Sequence, residues 1–350
     1  MQGKKWWVLP TMAVLFTGLL CACTRAPKTI TQNAVSMGSV VTVKAYGDKE
    51  ETLQAAADCV LSEIAALDEN VLSKTLDSSE LYQLNYEDHT TGVKVSAELF
   101  DTLYETKQIY YTYSNGKAAL PSGALTSLWG MDTDEFRVPA ADEIERARAL
   151  CSDDTVTLSD DGFVSFTEGQ QLNLGSVGKG LACDKAVQVL RENGFGSSVT
   201  GAVVSVGGSV ATLGEPEAGK QWTVGVRDPF GNANDYFATL SVGGAFLSTS
   251  GTYEKQFTVN GKTYHHLLDL TTGYPAETTL CSVTVLAQTG LQSDALSTLC
   301  FLLGEEASGE VLKLYSAEAV FVYQDKTVSV TDGLQSSFRL TDDSFQWVNA

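Results

Sequence analysis

Four segments carry residue types whose spacing suits chemistry. The first is Asn173-Leu-Gly-Ser-Val-Gly-Lys-Gly180, set between a strand-like and a helical stretch. Glycines let a ligand approach the backbone, a helix start offers free N–H groups, and Lys179 adds positive charge, so the segment suits a phosphate. It is not a P-loop, because Gly178 has no glycine five residues before it and Lys179 is followed by Gly rather than Ser or Thr. A tight strand-to-helix turn explains it equally well. The second is Tyr264-His-His-Leu-Leu-Asp-Leu-Thr-Thr-Gly-Tyr-Pro275, which holds two of the three histidines. His265, His266 and Asp269 could move protons or bind a metal. Their spacing matches no standard zinc pattern, and a hydrogen-bonded structural role stays open.

The third segment is Gln292-Ser-Asp-Ala-Leu-Ser-Thr298. Asp294 and Thr298 are four residues apart, so on a helix they face the same way. One carboxylate and one hydroxyl suit a hard cation such as Mg²⁺, completed by water and phosphates. A helix cap by Ser293 or Asp294 is the simpler explanation of that segment alone. The fourth is Ser122-Gly-Ala-Leu-Thr-Ser-Leu-Trp-Gly-Met131, where turn residues lead to a Trp beside Gly that could offer a stacking surface for a flat ring, although a core Trp is the commoner explanation.

These segments need a fold to bring them together, and the chain is long enough for one large domain or two intimate ones. It has 350 residues, 43% hydrophobic and 19% charged, which excludes wholesale disorder. Its net charge of −20 argues against nucleic acid as a partner, since that needs a basic footprint. A small phosphorylated ligand remains possible if a cation or backbone amides offset the charge locally.

The hydrophobic pattern predicts strands at 40–46, 155–158, 163–167, 199–206, 282–287 and 319–323. It predicts helices at 51–67, 99–113, 141–150, 178–193, 291–303 and 307–316. Short strands dominate 222–263, with Asn260-Gly261 as a hairpin turn. The tyrosines of the 99–113 helix read as packing. Helices mixed with antiparallel hairpins indicate α+β, with mixed, largely antiparallel sheets and packed helices.

The N-terminus sets an address. Lys4 and Lys5 precede an apolar run from Trp6 to Leu20, and Leu20-Cys21-Ala22-Cys23 resembles a bacterial lipobox. We expect residues 1–22 to be a lipoprotein signal peptide, Cys23 to carry lipid, 23–34 to form a tether, and 35–345 to form the working domain. A plain cleaved signal or an uncleaved anchor are the alternatives. Cys59, Cys151, Cys183, Cys281 and Cys300 are scattered without a C-x-x-C and read as buried thiols.

The order of these segments resembles one family, the ApbE-like FAD:protein FMN transferases, also called flavin transferases. The matching stretches are Val35-Ser-Met-Gly-Ser-Val, Asp77-Ser-Ser-Glu-Leu-Tyr-Gln-Leu-Asn85, Leu128-Trp-Gly, 172–180 and Val206-Gly-Gly208. Further along come Ser248-Thr-Ser-Gly-Thr-Tyr-Glu254, His266-Leu-Leu-Asp with Thr272-Gly-Tyr-Pro275, and Ser293-Asp-Ala-Leu-Ser-Thr298. They span about residues 30–310.

The resemblance implies an enzyme that cleaves FAD with Mg²⁺, attaches the FMN half to a Thr or Ser of a target protein, and releases AMP. It implies flavin-accepting redox proteins with an FMN-binding domain as partners, and a location on the cell membrane, lipid-anchored and facing outside the cytoplasm. Position by position it implies FAD contacts at Met37, Thr75, Lys117, Ala118, Ala119, Asn173, Lys179, Leu267 and Leu268. Thr75 stands where many relatives have an aromatic ring, and Ala119 where many have an acid. Asn173 replaces a common Asp, keeping a hydrogen bond but not a charge. The metal set it implies is the Ser176 carbonyl, Asp294 and Thr298. His266 or a nearby carboxylate would be the base. Two rival functions use the same residues: a Mg²⁺-dependent FAD pyrophosphatase, and a non-catalytic flavin-binding lipoprotein.

Overall fold

The computed structural model describes residues 27–86, 91–131, 133, 135–192 and 194–348. The leader and Cys23 lie outside the described residues. The central sheet runs in chain order through nine strands: β1 (Lys28–Ser36), β2 (Ser39–Gly47), β3 (Val199–Val206), β4 (Ser209–Gly214), β5 (Phe246–Gly251), β6 (Leu280–Ala287), β7 (Glu318–Tyr323), β8 (Thr327–Val330) and β9 (Gln346–Trp347). Every neighbouring pair is antiparallel except β8 with β9.

The helices are α1 (Glu50–Leu67), α2 (Glu80–Tyr86), α3 (Ala97–Tyr113), α4 (Gly123–Leu128), α5 (Ala141–Arg148), α6 (Gly178–Glu192), α7 (Gly290–Leu303) and α8 (Glu305–Leu314). The α+β expectation holds. Alternation along β7 shows how the layers form. Ala319 and Phe321 enter the core beneath α1, α6 and α7, while Val320 and Val322 enter a second core on the opposite face. That second core is closed by a three-stranded sheet of Trp222–Arg227, Tyr236–Val242 and Phe338–Leu340.

Two expectations need correction. The segment to Ala34 is not a tether over its whole length, because β1 begins at Lys28 and pairs with β2 along its entire span. Its mixed polar sequence is that of an edge strand with only one covered side. Trp129 belongs to the core, the commoner of the two explanations: it is fully buried, and its Nε1 donates to the Gly273 carbonyl at 2.9 Å. The reading of Ser122–Met131 as turn residues missed α4. The five cysteines are buried or half-buried, as expected. Burial pushes Cys151 and Cys281 up to about 11 and Cys300 up to about 12, so these thiols stay protonated and inert.

Helices α6 and α7 lie side by side across the sheet and touch at one point through bare backbone. A Cβ on Gly180 would stand 2.0 Å from the Gly290 carbonyl oxygen, and one on Gly290 would stand 2.0 Å from that of Gly180. Only glycine fits at either position. Gly290→Ala is expected to destabilise the protein by about 2 kcal/mol or more in urea unfolding, because the helices must part to admit the methyl group. Gly309→Ala on α8, whose added Cβ would meet nothing within 4 Å, is expected to be neutral or stabilising by up to about 1 kcal/mol. Equal effects of the two substitutions would contradict the tight crossing.

Candidate active site

The glycine crossing brings two carboxylates onto two helix starts. Asp184 of α6 accepts from Gly290 N at 2.7 Å and Leu291 N at 2.8 Å, capping α7. Asp294 of α7 accepts from Gly180 N at 2.9 Å, capping α6. Each carboxylate sits four residues after the crossing glycine of its own helix, so the frame Gly-x-x-x-Asp occurs twice and each copy serves the other. The expectation that Ser293 or Asp294 caps its own helix is corrected: Thr289 is the N-cap of α7, its side chain accepting from Gln292 N, and Asp294 caps the neighbouring helix instead.

This cross-cap frees an oxygen. In a regular helix the Gly180 N–H would donate to the Ser176 carbonyl, as Leu181 N does to Val177 O at 3.0 Å. Here that N–H goes to Asp294, so the Ser176 carbonyl stays outside the helical ladder. Asp294 is 4% exposed, and burial pushes its carboxyl up against the opposing pull of Lys179 and the Gly180 N–H. Thr298, one turn further along α7, shares a hydrogen bond of 3.1 Å with Ser250 on β5. Below it a buried hydroxyl ladder of Ser209, Ser248 and Ser293, and of Ser250 and Ser297, ties α7 to the sheet.

The other predicted residues gather around the α6 N-terminus. Lys179 passes the Val206-Gly207-Gly208 turn, where a Cβ on Gly207 would meet its side chain at 3.3 Å. Its charge acts on both Asp294 and His266. His266 keeps some surface, but its Nδ1 is buried without a hydrogen-bond partner. Burial, with Lys179 next, lowers its pKa to about 4, so the ring is neutral at pH 7. Met37 sits at the β1–β2 turn with φ +53, an uncommon conformation for a non-glycine residue. Asp68 holds it there by accepting from Met37 N at 2.8 Å, and the Met37 side chain reaches the Gly178 backbone.

A second wall is built from two interlocked strands of loop. Leu270 N donates to Lys117 O, and Lys117 Nζ pairs with Asp269 Oδ2 at 2.7 Å. Burial alone would raise the Asp269 carboxyl, but Lys117 and the two Thr271 donors hold it below the usual carboxylate range. Ala118, Ala119, Leu267 and Leu268 are buried along this seam. Asp269 is thus committed to Lys117 and its own turn, and it does not join His265 in a metal cluster. Asn173 accepts from Gly175 N at 2.9 Å and donates to Thr126 Oγ1 at 3.1 Å, and Lys74 Nζ donates to the same Thr126 oxygen at 2.9 Å. Thr75 is exposed beside it, sharing a hydrogen bond with Ser73.

One site residue escaped the sequence reading. Tyr110 on α3 is 2% exposed and donates to Ser176 Oγ at 2.7 Å. Nothing in the 99–113 pattern separates it from the neighbouring tyrosines. Among the described residues no group of three His, Cys, Asp or Glu forms a metal cage. A buried carboxylate, a hydroxyl and a carbonyl released from its helix are all hard oxygen donors, and they fit Mg²⁺ rather than a soft metal.

Comparison with known proteins agrees with this geometry. The ApbE family model matches residues 37–321. A Treponema pallidum protein named FAD:protein FMN transferase is 32% identical, the match covering 88% of this chain and 88% of that one. A Klebsiella pneumoniae protein of the same name is 30% identical, over 91% and 96% of the two chains. The crystal structure of an ApbE protein from Thermotoga maritima superposes with a TM-score of 0.79 at 26% identity, covering 89% of this chain and 100% of that one. The apo flavinyl transferase ApbE of Pseudomonas stutzeri gives 0.73 at 25% identity, covering 89% and 97%. The chain belongs to the ApbE family.

Proposed function

We propose that this protein is a Mg²⁺-dependent FAD:protein FMN transferase, which splits FAD and joins FMN to a Thr or Ser of a target protein through a phosphoester bond, releasing AMP. The observation that carries this reading is the meeting at the α6 N-terminus of Lys179, the buried Asp294 carboxylate and the Ser176 carbonyl released from the helical ladder. The names of the two relatives described above support it.

The chain's residues divide the work. Asp294, Thr298 and the Ser176 carbonyl would hold Mg²⁺. The ion when bound withdraws charge from the pyrophosphate oxygens. Lys179, at the start of α6, would stabilise the charge that accumulates as AMP leaves. Met37 and the seam of Lys117, Ala118, Ala119, Leu267 and Leu268 would bind FAD. The target hydroxyl attacks the FMN phosphorus, the bond to the AMP oxygen breaks, and the hydroxyl proton passes to a base. His266 is suited to take it, because its ring is neutral at pH 7 and keeps some surface. Water at the same phosphorus would give FMN and AMP, so the target must be held in line to prevail.

The test incubates the protein with FAD, Mg²⁺ and an FMN-binding acceptor domain, measuring AMP and covalent FMN together. Transfer predicts matched amounts, with both strongly reduced when the acceptor lacks its target Thr or Ser. AMP without covalent FMN would make the protein a pyrophosphatase, and tight FAD binding with neither product would make it a binding module. Asp294→Ala is expected to cut labelling more than about 100-fold while the far-ultraviolet dichroism is retained. Only the neutral His266 ring accepts a proton, so the acid limb of the rate is expected near pH 4 rather than near the usual 6.5. A limb near 6.5 that disappears in His266→Asn would contradict the lowered value.

The proposal extends to location. Lipidation at Cys23 would anchor the enzyme to the cell membrane, facing outside the cytoplasm, where membrane-bound redox proteins are within reach. Among the described residues no helix is long and apolar enough to cross a membrane. Wild-type protein is expected in the membrane pellet and Cys23→Ser without lipid. A soluble, unlipidated wild type would refute the anchor.

A further inference from the structure

Tyr110 stands apart from the other tyrosines of α3. Its side chain is buried, and its hydroxyl crosses from α3 to the turn that opens α6, donating to Ser176 Oγ at 2.7 Å.

Ser176 needs such a hold. Its carbonyl receives no helical N–H, because Gly180 N is turned to Asp294. Val177 N and Gly178 N both donate to Leu174 O, which closes the turn around Ser176 without fixing the Ser176 peptide itself. Asn173 secures only the upstream side, through Gly175 N. The Tyr110 bond is the tertiary restraint on the residue whose carbonyl faces the α6 start.

We propose that Tyr110 is a positioning residue for the metal site: through Ser176 Oγ it presets the Ser176 carbonyl as a ligand before the cation arrives. The inference rests on the metal set proposed above and deepens it. Groups that orient metal ligands commonly alter metal affinity 10- to 100-fold when removed, without touching the ion. Tyr110→Phe removes one oxygen and keeps the ring that fills the core, so the fold is retained.

The test is direct Mn²⁺ binding to the purified protein, without substrate, followed by electron paramagnetic resonance of the free ion. Wild type, Tyr110→Phe, Ser176→Ala and the double variant are compared, with thermal midpoints measured alongside. Tyr110→Phe is expected to weaken Mn²⁺ binding about 10-fold. Ser176→Ala is expected to weaken it similarly, and the double variant no further than either single, because both changes break the same hydrogen bond. Tyr110→Phe that binds Mn²⁺ as wild type does, or losses that multiply in the double variant, would overturn the inference while leaving the proposed function standing. A lowered thermal midpoint with unchanged Mn²⁺ affinity would show a merely structural tyrosine. Wild type that binds no Mn²⁺ would overturn the metal set and this inference together.

Discussion

The site depends on one close contact, the meeting of Gly180 and Gly290 backbones at the crossing of α6 and α7. Without side chains at that point the helices approach until each presents its first N–H groups to a carboxylate of the other. A helix start carries partial positive charge, so the two caps stabilise two acids that would otherwise be costly to bury. The exchange also diverts the Gly180 N–H from the Ser176 carbonyl. One steric fact thus buries Asp294, fixes its orientation, and leaves the Ser176 carbonyl outside the helical ladder. A larger residue at either glycine would undo all three.

The electrostatics are local rather than global. The chain carries −20, yet Lys179 acts on Asp294 and His266 together, and Lys117 neutralises Asp269 at the opposite wall. The two cross-capping acids still feel their burial. Asp184 is pushed up to about 6 by burial despite two backbone donors, and Asp294 is raised as well. A site whose carboxylate is held at a cost is one that a cation relieves on binding. A pyrophosphate brought to the same place arrives with charge of the sign that Lys179 attracts.

Much of this was legible in the sequence. The period of 291–303 places Asp294 and Thr298 on one face of α7, and Asn260-Gly261 forms the expected turn with φ of +52 and +79 at its two residues. The glycines of 173–180 announce a close approach, although the sequence cannot say that Gly290 is what approaches. Pairings between distant segments are invisible to local periodicity, and so Asp184 with α7 and Tyr110 with Ser176 emerge only from the fold. Strand β1 was missed because an edge strand with one covered side lacks the dense apolar run that marks central strands. Around Trp129 the glycine and turn residues hid the short helix α4, while the core position that is commoner for a Trp is the one the packing against Gly273 gives it.

The central claim is that the helix crossing builds a hard-cation site. Anomalous diffraction from crystals of the protein soaked with Mn²⁺ tests it most directly. The account predicts one strong peak within coordination distance of the Asp294 carboxylate, Thr298 Oγ1 and the Ser176 carbonyl. A peak elsewhere, or none at this position when the ion is saturating, would contradict it.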